Sequence, residues 1–202
     1  MRNLVDIGSK YLKAGDSQKR ELISYYNENC VSLVKPSRRY SMKFEDNWCA
    51  MFTSVVAHKA GFNKDNFPFE VSVFEQVKIA KEWKTFVKGS SGINEGDLII
   101  YDWFTDGTLD HVGIVAEVTG DYLKVIEGNY QNTVKTRYLK ATSPAISGYI
   151  NLQGVSVPTN ETRLKRLTKG VLMGDYGDGM ERKRLLGDDY LEVQNRVNNI
   201  LK

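Results

Sequence analysis

The sequence predicts an α+β fold in which helices come first and an antiparallel sheet follows. Helix-patterned segments dominate the first 83 residues, and strand-patterned segments then continue to about residue 151. In the C-terminal segment the spacing of apolar residues returns to that of helices. We therefore expect a large domain over residues 1–153, a linker over 154–160 and a small three-helix module over 161–202.

The helices before the sheet are predicted from apolar periodicity and from breaks in it. They cover residues 2–13, 17–29, 49–61 and part of 67–83. Gly15 and Asp16 separate the first two, and Gly61 closes the third. Asp46 or Asn47 is expected to cap the start of that third helix.

The predicted strands show period-two alternation between turn signals. They cover residues 97–103, 111–118, 122–129, 133–139 and 146–152. If residues 119–121 form the loop of the second hairpin, His111 lies directly across from Asn129, with Glu127 one diagonal step away. A catalytic imidazole needs such polar partners to fix its tautomer and stabilise its charged form.

Cys49 begins the apolar helix in "EDNWCAMFTSVVAHKAGF", and His58 follows nine residues later. Nine helical residues put His58 on the opposite side of the helix and about 13 Å further along it, so it cannot serve Cys49 as a base. The chain has two histidines, which leaves His111 as the candidate. The N–H groups at the helix start favour a thiolate and can hold an oxyanion, although such a cysteine can also be buried packing.

Cys30 ends a helix-like segment in "YNENCVSLVKP" and is expected to be a small, half-buried residue. Two cysteines do not suggest a disulfide framework. A disulfide between Cys30 and Cys49 would also consume the proposed nucleophile.

Four blocks occur in order: "NWCAMFTSVVAHKAGF", "EGDLIIYDW", "DGTLDHVGIVAEV" and "IEGNY". Together they resemble the CHAP domain, the cysteine- and histidine-dependent amidohydrolase/peptidase of the papain-like superfamily. The resemblance spans roughly residues 1–150 and implies a papain-like fold. It also implies that Cys49 is the nucleophile, His111 the base, and Glu127 and Asn129 the orienting residues.

The C-terminal segment "GVLMGDYGDGMERKRLLGDDYLEVQNRVNNIL" resembles the Cpl-seven type of cell-wall-binding repeat found in phage lysins. The family's Trp-Gly-Asn-Gly is replaced here by Tyr-Gly-Asp-Gly over residues 176–179, and one copy is present where tandem copies are usual. Tyr176 and Arg182 are the expected ligand contacts, since they suit a sugar and a carboxylate. Because one copy offers little contact area, we expect self-association or a very weak site; a purely structural helical cap is the alternative.

Two apolar stripes are predicted within this module. One consists of Leu164, Leu167, Val171 and Leu172, and the other of Leu191, Val193, Val197 and Ile200.

Aromatic residues flank the proposed chemistry, and Trp48 and Trp103 are the predicted substrate contacts. Asp102, Asp106 and Asp110 invite a calcium interpretation, but their spacing does not match the calcium-loop pattern. We therefore expect no metal and no other cofactor.

The net charge of +3, with no basic block, gives no reason to expect a nucleic-acid partner. The N-terminus "MRNLVDIGSKYLKAGD" lacks the apolar run of a signal peptide, and no segment approaches the length of a membrane span. These features predict a chain made in the cytoplasm without membrane insertion. The resemblance to phage lysins implies a bacterial cytoplasm and action on the cell wall after release through a separate membrane pore.

The sequence therefore predicts a peptidoglycan hydrolase of phage-endolysin type, with peptidoglycan as its partner. The bond is left open between N-acetylmuramoyl-L-alanine, cut by an amidase, and a stem or cross-bridge peptide bond, cut by an endopeptidase. Two alternatives remain: a non-catalytic cell-wall-binding protein on a CHAP scaffold, and an intracellular cysteine protease.

Overall fold

The computed structural model describes residues 2–155 and 160–201. The chain divides into two compact units, Met1–Ser156 and Val157–Lys202. Residues 156–159 of the predicted linker lie outside the described part of the chain.

The first unit begins with helices, as predicted. Their bounds are α1 Arg2–Ser9, α2 Asp16–Asn29, α3 Cys49–Lys59 and α4 Val73–Glu82, with 3-10 turns at Val31–Leu33 and Pro36–Arg38 between α2 and α3. The helix α1 stops four residues before the predicted end, and Lys13 has a positive φ of 67°. That left-handed backbone cannot continue an α-helix.

Six strands follow and form one antiparallel sheet. Their bounds are β1 Phe86–Lys88, β2 Leu98–Tyr101, β3 His111–Thr119, β4 Tyr122–Tyr130, β5 Thr133–Lys140 and β6 Ile146–Ile150. The spatial order is β1-β6-β2-β3-β4-β5. The α+β prediction is confirmed, but β1 was not predicted, because three residues are too few to show alternation.

Both faces of the sheet are covered, so the central strands are buried on two sides. On one face α1 and α3 pack against β3 and β4, where Gly8 of α1 lies beside Ile114, Ile126 and Val56. The other face carries a second apolar cluster. It contains Ile93, Ile99, Tyr101, Val115, Leu123, Val125, Ile146 and Tyr149.

The turn between β3 and β4 differs from the prediction. Thr119 pairs with Tyr122, so the loop consists of Gly120 and Asp121 and not of residues 119–121. Pairs near the turn are therefore shifted by one residue from the predicted register. A bulge between Val115 and Glu117 removes the shift, because the extra residue lies on one strand only.

Beyond that bulge, towards the start of β3, the pairing matches the predicted register, with Ile114 opposite Ile126. Two compensating differences thus preserve the predicted side-chain faces at this end of the hairpin. His111 and Glu127 consequently share a face.

Gly128 allows α3 to lie directly on β4. A Cβ atom at Gly128 would lie 2.4 Å from the Phe52 Cβ, closer than real Cβ atoms approach. Phe52 is three residues after Cys49, so this contact brings the start of the helix to the end of the sheet that carries His111 and Glu127.

The second unit contains the three predicted helices, α5 Asn160–Met173, α6 Gly179–Leu186 and α7 Tyr190–Ile200, with a 3-10 turn between α6 and α7. Its core consists of Leu164, Val171, Leu186, Val193 and Val197. The predicted stripes are partly corrected, because Leu172, Leu191 and Ile200 are exposed.

No helix in the ranges 2–155 and 160–201 has the length and apolar character needed to cross a membrane.

Candidate active site

Cys49 is the first residue of α3, and Trp48 is the N-cap. The predicted caps do not form. Asp46 accepts hydrogen bonds from the Lys43 amide at 2.8 Å and the Tyr40 hydroxyl at 2.9 Å, while Asn47 accepts one from Asn129. With no side-chain cap from Trp48, the first N–H groups of α3 are placed to serve a substrate oxygen. Cys49 is only 6% exposed.

His111 is the first residue of β3 and lies between a thiol and a carboxylate. Its Nε2 is 3.2 Å from Glu127 Oε2, and the neighbouring Cys49 side chain acts on the pKa of the ring. Since Nε2 faces Glu127, the nitrogen left for Cys49 is Nδ1. The structure thus brings together Cys49, His111 and Glu127.

The surroundings of His111 favour its protonated form. Burial by itself lowers the pKa of His111, but the hydrogen bonds and charges of Cys49 and Glu127 outweigh it and raise the pKa to about 9. An imidazolium at neutral pH can stabilise a neighbouring thiolate and donate a proton to a leaving amine.

The Glu127 side chain is fully buried in β4 and holds two partners. Oε2 accepts from His111, and Oε1 accepts from Arg137 Nε at 2.8 Å. Burial raises the pKa of Glu127, yet the hydrogen bonds from His111 and Arg137 reverse the shift and hold the pKa below its usual value. The carboxylate is therefore ionised beside the imidazole.

Arg137 in β5 is a site residue that the sequence reasoning missed. Pairing extends to β5 with Val125 opposite Arg137 and Glu127 opposite Lys135. Arg137 therefore sits on the same face as Glu127, one diagonal step along. Carrying the hairpin register into the third strand is the signal that could have found it.

The structure gives Asn129 a different neighbour from the one expected. Its Nδ2 donates to Asn47 Oδ1 at 3.1 Å, which ties the end of β4 to the residues before α3. Asn129 has a positive φ of 60°, and the pairing with β5 shifts between Glu127 and Tyr130. Because the strand is irregular here, the Asn129 side chain does not take the position directly opposite His111 that a regular hairpin register predicts.

The two predicted substrate tryptophans have opposite environments. Trp48 is fully buried, packs edge-on against Phe52 and donates to Asn132 Oδ1 at 3.4 Å, so it has a packing role and no surface for a ligand. Trp103 is 36% exposed, and its ring centroid lies 6.0 Å from that of His111. Trp103 therefore lies beside His111 with part of its ring exposed, and its role as a substrate contact stays a prediction.

The three spaced aspartates shape the loop that ends at His111. Asp102 accepts from the amides of Asp106 and Gly107, at 3.1 and 2.8 Å, and Asp110 accepts from the amide of Trp103 at 2.7 Å. These bonds fix the position of Trp103. Within residues 2–155 and 160–201, no group of three or more acidic, histidine or cysteine residues could hold a metal ion.

In the C-terminal unit, Tyr176 and Arg182 mainly serve the module itself. The Tyr176 ring packs against Gly170, where a Cβ atom would lie 2.6 Å from the ring, and contributes to the core. Arg182 donates from Nε and Nη2 to the Gly177 carbonyl, at 3.0 and 2.6 Å, and from Nη1 to Gln194 at 3.1 Å. Most of the guanidinium predicted to bind ligand therefore holds the turn before α6.

Comparison with known families agrees with this geometry. The CHAP domain model matches residues 23–129, which is more than half of the chain. The chain belongs to the CHAP domain family. The matched range contains Cys49, His111, Glu127 and Asn129, while Arg137 lies beyond it.

A second family, the CW_7 repeat, matches residues 163–201 of this CHAP protein. That range covers nearly all of the C-terminal helical unit, so the predicted wall-binding repeat is confirmed. Together the two matches assign residues 23–129 to a CHAP domain and residues 163–201 to a CW_7 repeat.

Among solved structures, the crystal structure of Ly7917 is similar at 24% identity, with a TM-score of 0.28. The crystal structure of Ly7917 with the hydrolyzing product of MDP is similar at 25% identity, also with a TM-score of 0.28. In each case the similarity covers 35% of this chain and 32% of that chain, so it spans about a third of their length. No curated protein matches this chain.

Proposed function

We propose that this CHAP protein hydrolyses an amide bond of bacterial peptidoglycan with Cys49 as nucleophile, in the manner of a phage endolysin. The observation that carries the proposal is the line from Cys49 through His111 to the ionised, buried Glu127. This order of groups activates a thiol and supplies a proton donor for the leaving group.

In the first half of the reaction, the Cys49 thiolate attacks the amide carbonyl and forms a C–S bond. The N–H groups at the start of α3 stabilise the oxyanion that develops. His111 transfers its Nδ1 proton to the leaving amine, the C–N bond breaks, and an acyl-enzyme thioester remains.

In the second half, neutral His111 takes a proton from water, which attacks the thioester carbonyl. The C–O bond forms, the C–S bond breaks, and a carboxylic acid leaves. The thiolate and imidazolium are then restored. Glu127 keeps the ring oriented through both halves, because its carboxylate favours the charged imidazole whenever His111 holds the extra proton.

We propose Trp103 as the aromatic contact that orients the substrate beside His111. Its exposed ring lies next to the imidazole, and aromatic faces suit sugar rings and peptide planes. The bond cut by this site is either N-acetylmuramoyl-L-alanine or a peptide bond of the stem or cross-bridge, since the catalytic groups serve both equally.

The proposed role of the C-terminal unit is to hold the enzyme at its insoluble substrate, which raises the local concentration without changing the chemistry. Self-association through this unit is part of the proposal, because a single repeat offers little contact area.

Mass spectrometry of purified Gram-positive peptidoglycan after digestion tests the proposal. We expect new amine and carboxylate ends from an amide bond, no new sugar reducing ends, and no products with Cys49→Ala. An amidase frees the amine of L-alanine, whereas an endopeptidase leaves that bond intact. Binding to walls without products would indicate the non-catalytic alternative, and cleavage of casein without cleavage of walls would indicate a general cysteine protease.

A further inference from the structure

Glu127 is a bridge between the imidazole and a second cation. One carboxylate oxygen lies 3.2 Å from His111 Nε2 and the other 2.8 Å from Arg137 Nε, and the Glu127 side chain has no exposed surface. A buried carboxylate without a compensating charge is costly and tends to take up a proton. Arg137 supplies a compensating charge that is permanent, whereas that of His111 changes during the reaction.

The guanidinium of Arg137 is itself fixed in place by aromatic rings. Its central carbon lies 4.1 Å from the ring centroid of Tyr130 and 4.6 Å from that of Trp103. Trp103 in turn stacks on Tyr101 at 4.3 Å, with 13° between the ring planes. Contacts of this kind orient a planar cation as well as attract it.

Several other titratable groups surround the carboxylate on the neighbouring strands. Tyr101 on β2 and His111 on β3 face it, and the charge of Glu127 adds to burial in raising the pKa of the Tyr101 phenol. Lys135 lies opposite Glu127 on β5, but its ammonium donates to Gln131 at the hairpin turn. Between these two β5 cations, Arg137 is the one that contacts the carboxylate.

We propose that Arg137 is a positioning residue that holds Glu127 ionised and correctly oriented, so that the carboxylate can fix and charge the His111 ring. Arg137 acts through Glu127 and takes no part in bond making. Without the guanidinium, Glu127 would become protonated at a higher pH, and a neutral acid stabilises an imidazolium far less than a carboxylate does. The thiolate–imidazolium pair of Cys49 and His111 would then form over a narrower pH range.

The test compares wild type, Arg137→Met, Arg137→Lys and the control Lys135→Met, which removes a neighbouring cation of the same strand. One measurement gives kcat and KM on a soluble peptidoglycan fragment from pH 5 to pH 9, and so rests on the proposed function. The other gives the rate at which iodoacetamide alkylates Cys49 over the same range, which needs no substrate.

We expect Arg137→Met to lower kcat at neutral pH by about tenfold or more, because a hydrogen bond to a buried charge is lost. KM should change little. The acid limb of both profiles should move up by about 1 to 3 pH units, since an opposite charge next to the carboxylate is removed. Arg137→Lys should restore part of the lost rate, and Lys135→Met should match wild type.

The proposal is overturned if folded Arg137→Met keeps the wild-type acid limb in both profiles. It is also overturned if KM rises while kcat and alkylation stay unchanged, because Arg137 would then be a substrate contact. If Arg137→Met does not fold, Arg137→Lys provides the test. A kcat and an acid limb equal to those of the wild type in Arg137→Lys would then overturn the proposal, since an ammonium does not reproduce the guanidinium geometry. A shifted alkylation profile in a protein whose wild type cleaves no wall fragment would support Arg137 and refute the proposed function.

Discussion

The two cysteines occupy opposite helix ends, and their surroundings differ in ways that favour Cys49 over Cys30 as the proposed nucleophile. Cys49 is the first residue of α3, and Cys30 is the C-cap of α2. Both are nearly inaccessible, at 6% and 0% exposed, so burial does not distinguish them. The helix N-terminus favours negative charge at Cys49, while the helix C-terminus opposes it at Cys30.

Their partners differ as strongly as their helix ends. Burial raises the pKa of Cys30 to about 12, and the charge of Lys59 offsets this only in part. Cys49 instead lies beside His111, whose pKa is raised to about 9. The neighbouring imidazole and the helix start, and not solvent exposure, are therefore the features that support Cys49 as the proposed nucleophile.

The two histidines repeat the contrast. His111 contacts the ionised Glu127, whereas His58 in the last turn of α3 lies 2.9 Å from the neutral hydroxyl of Tyr25 and packs edge-on to Phe69. We therefore assign His58 to the packing of α3 against its neighbours.

The largest expected effect comes from replacing each of the two cysteines in turn. Cys49→Ala should lower wall hydrolysis by at least about 10³-fold, because the nucleophile is lost, and its thermal transition should stay close to wild type. Cys30→Ser should keep most activity yet lose about 1 to 3 kcal/mol of stability, because it buries a hydroxyl. Turbidity loss of purified walls and thermal melts measure both, and the reverse pattern would contradict the assignment.

The next effect concerns the carboxylate partner of His111. Glu127→Gln keeps the size but removes the charge, so kcat should fall by roughly 10²-fold, as for loss of a base-orienting group. Kinetics on a soluble wall fragment, with a melt to show that the variant is folded, measure the change. Full activity in folded Glu127→Gln would remove the orienting role.

The pH profile of activity also tests the effect of Glu127 on His111. Because the pKa of His111 is raised to about 9, activity should decline as the pH passes about 9, and Glu127→Gln should move that decline to lower pH. The raised value also means that protonated His111 stabilises the fold fully below its ordinary pKa of 6.5, and that this contribution is lost as the pH rises through about 9. If the activity of Glu127→Gln declined at the same alkaline pH as that of the wild type, this account would be contradicted.

Removing residues 154–202 should leave cleavage of a soluble fragment unchanged and lower lysis of whole cells at low enzyme concentration, by about 10-fold or less for one weak site. Binding of the catalytically inactive full-length and truncated proteins to purified walls checks the reason. If the inactive full-length and truncated proteins bound walls equally, the second unit would have a structural role only.

The smallest expected effect is that of Asn129. Asn129→Ala loses one hydrogen bond to Asn47 and should lower kcat only a few-fold, because a neutral hydrogen bond contributes about 1 kcal/mol. Steady-state kinetics of Asn129→Ala and Glu127→Gln, measured on the same substrate, compare the two losses in kcat. A loss equal to that of Glu127→Gln would mean that Asn129 orients His111 directly.

Much of the site was accessible from local patterns. Helical spacing excluded His58, and alternation in the β3–β4 hairpin grouped His111 with Glu127. The turn residues were wrong by one position, yet the bulge at residue 116 restored the register where the site lies. Periodicity does not reveal such a bulge, because the extra residue looks like ordinary strand sequence.

What the sequence could not supply were contacts between distant elements. Arg137 approaches Glu127 only after the third strand is paired in register. The burial of Trp48 depends on α3 lying against Gly128 and on Asn132 accepting its indole N–H. The irregular end of β4 turned Asn129 toward Asn47, and no local pattern carries that information.

The most direct test of the central claim is the alkylation of the two cysteines by iodoacetamide at pH 7, located by peptide mass spectrometry in wild type and His111→Ala. We expect rapid labelling of Cys49 in the wild type, at least about tenfold slower labelling of Cys49 in His111→Ala, and no labelling of Cys30 in either folded protein. Labelling of Cys49 that is equally fast without His111, or labelling of Cys30 as fast as Cys49, would contradict the account.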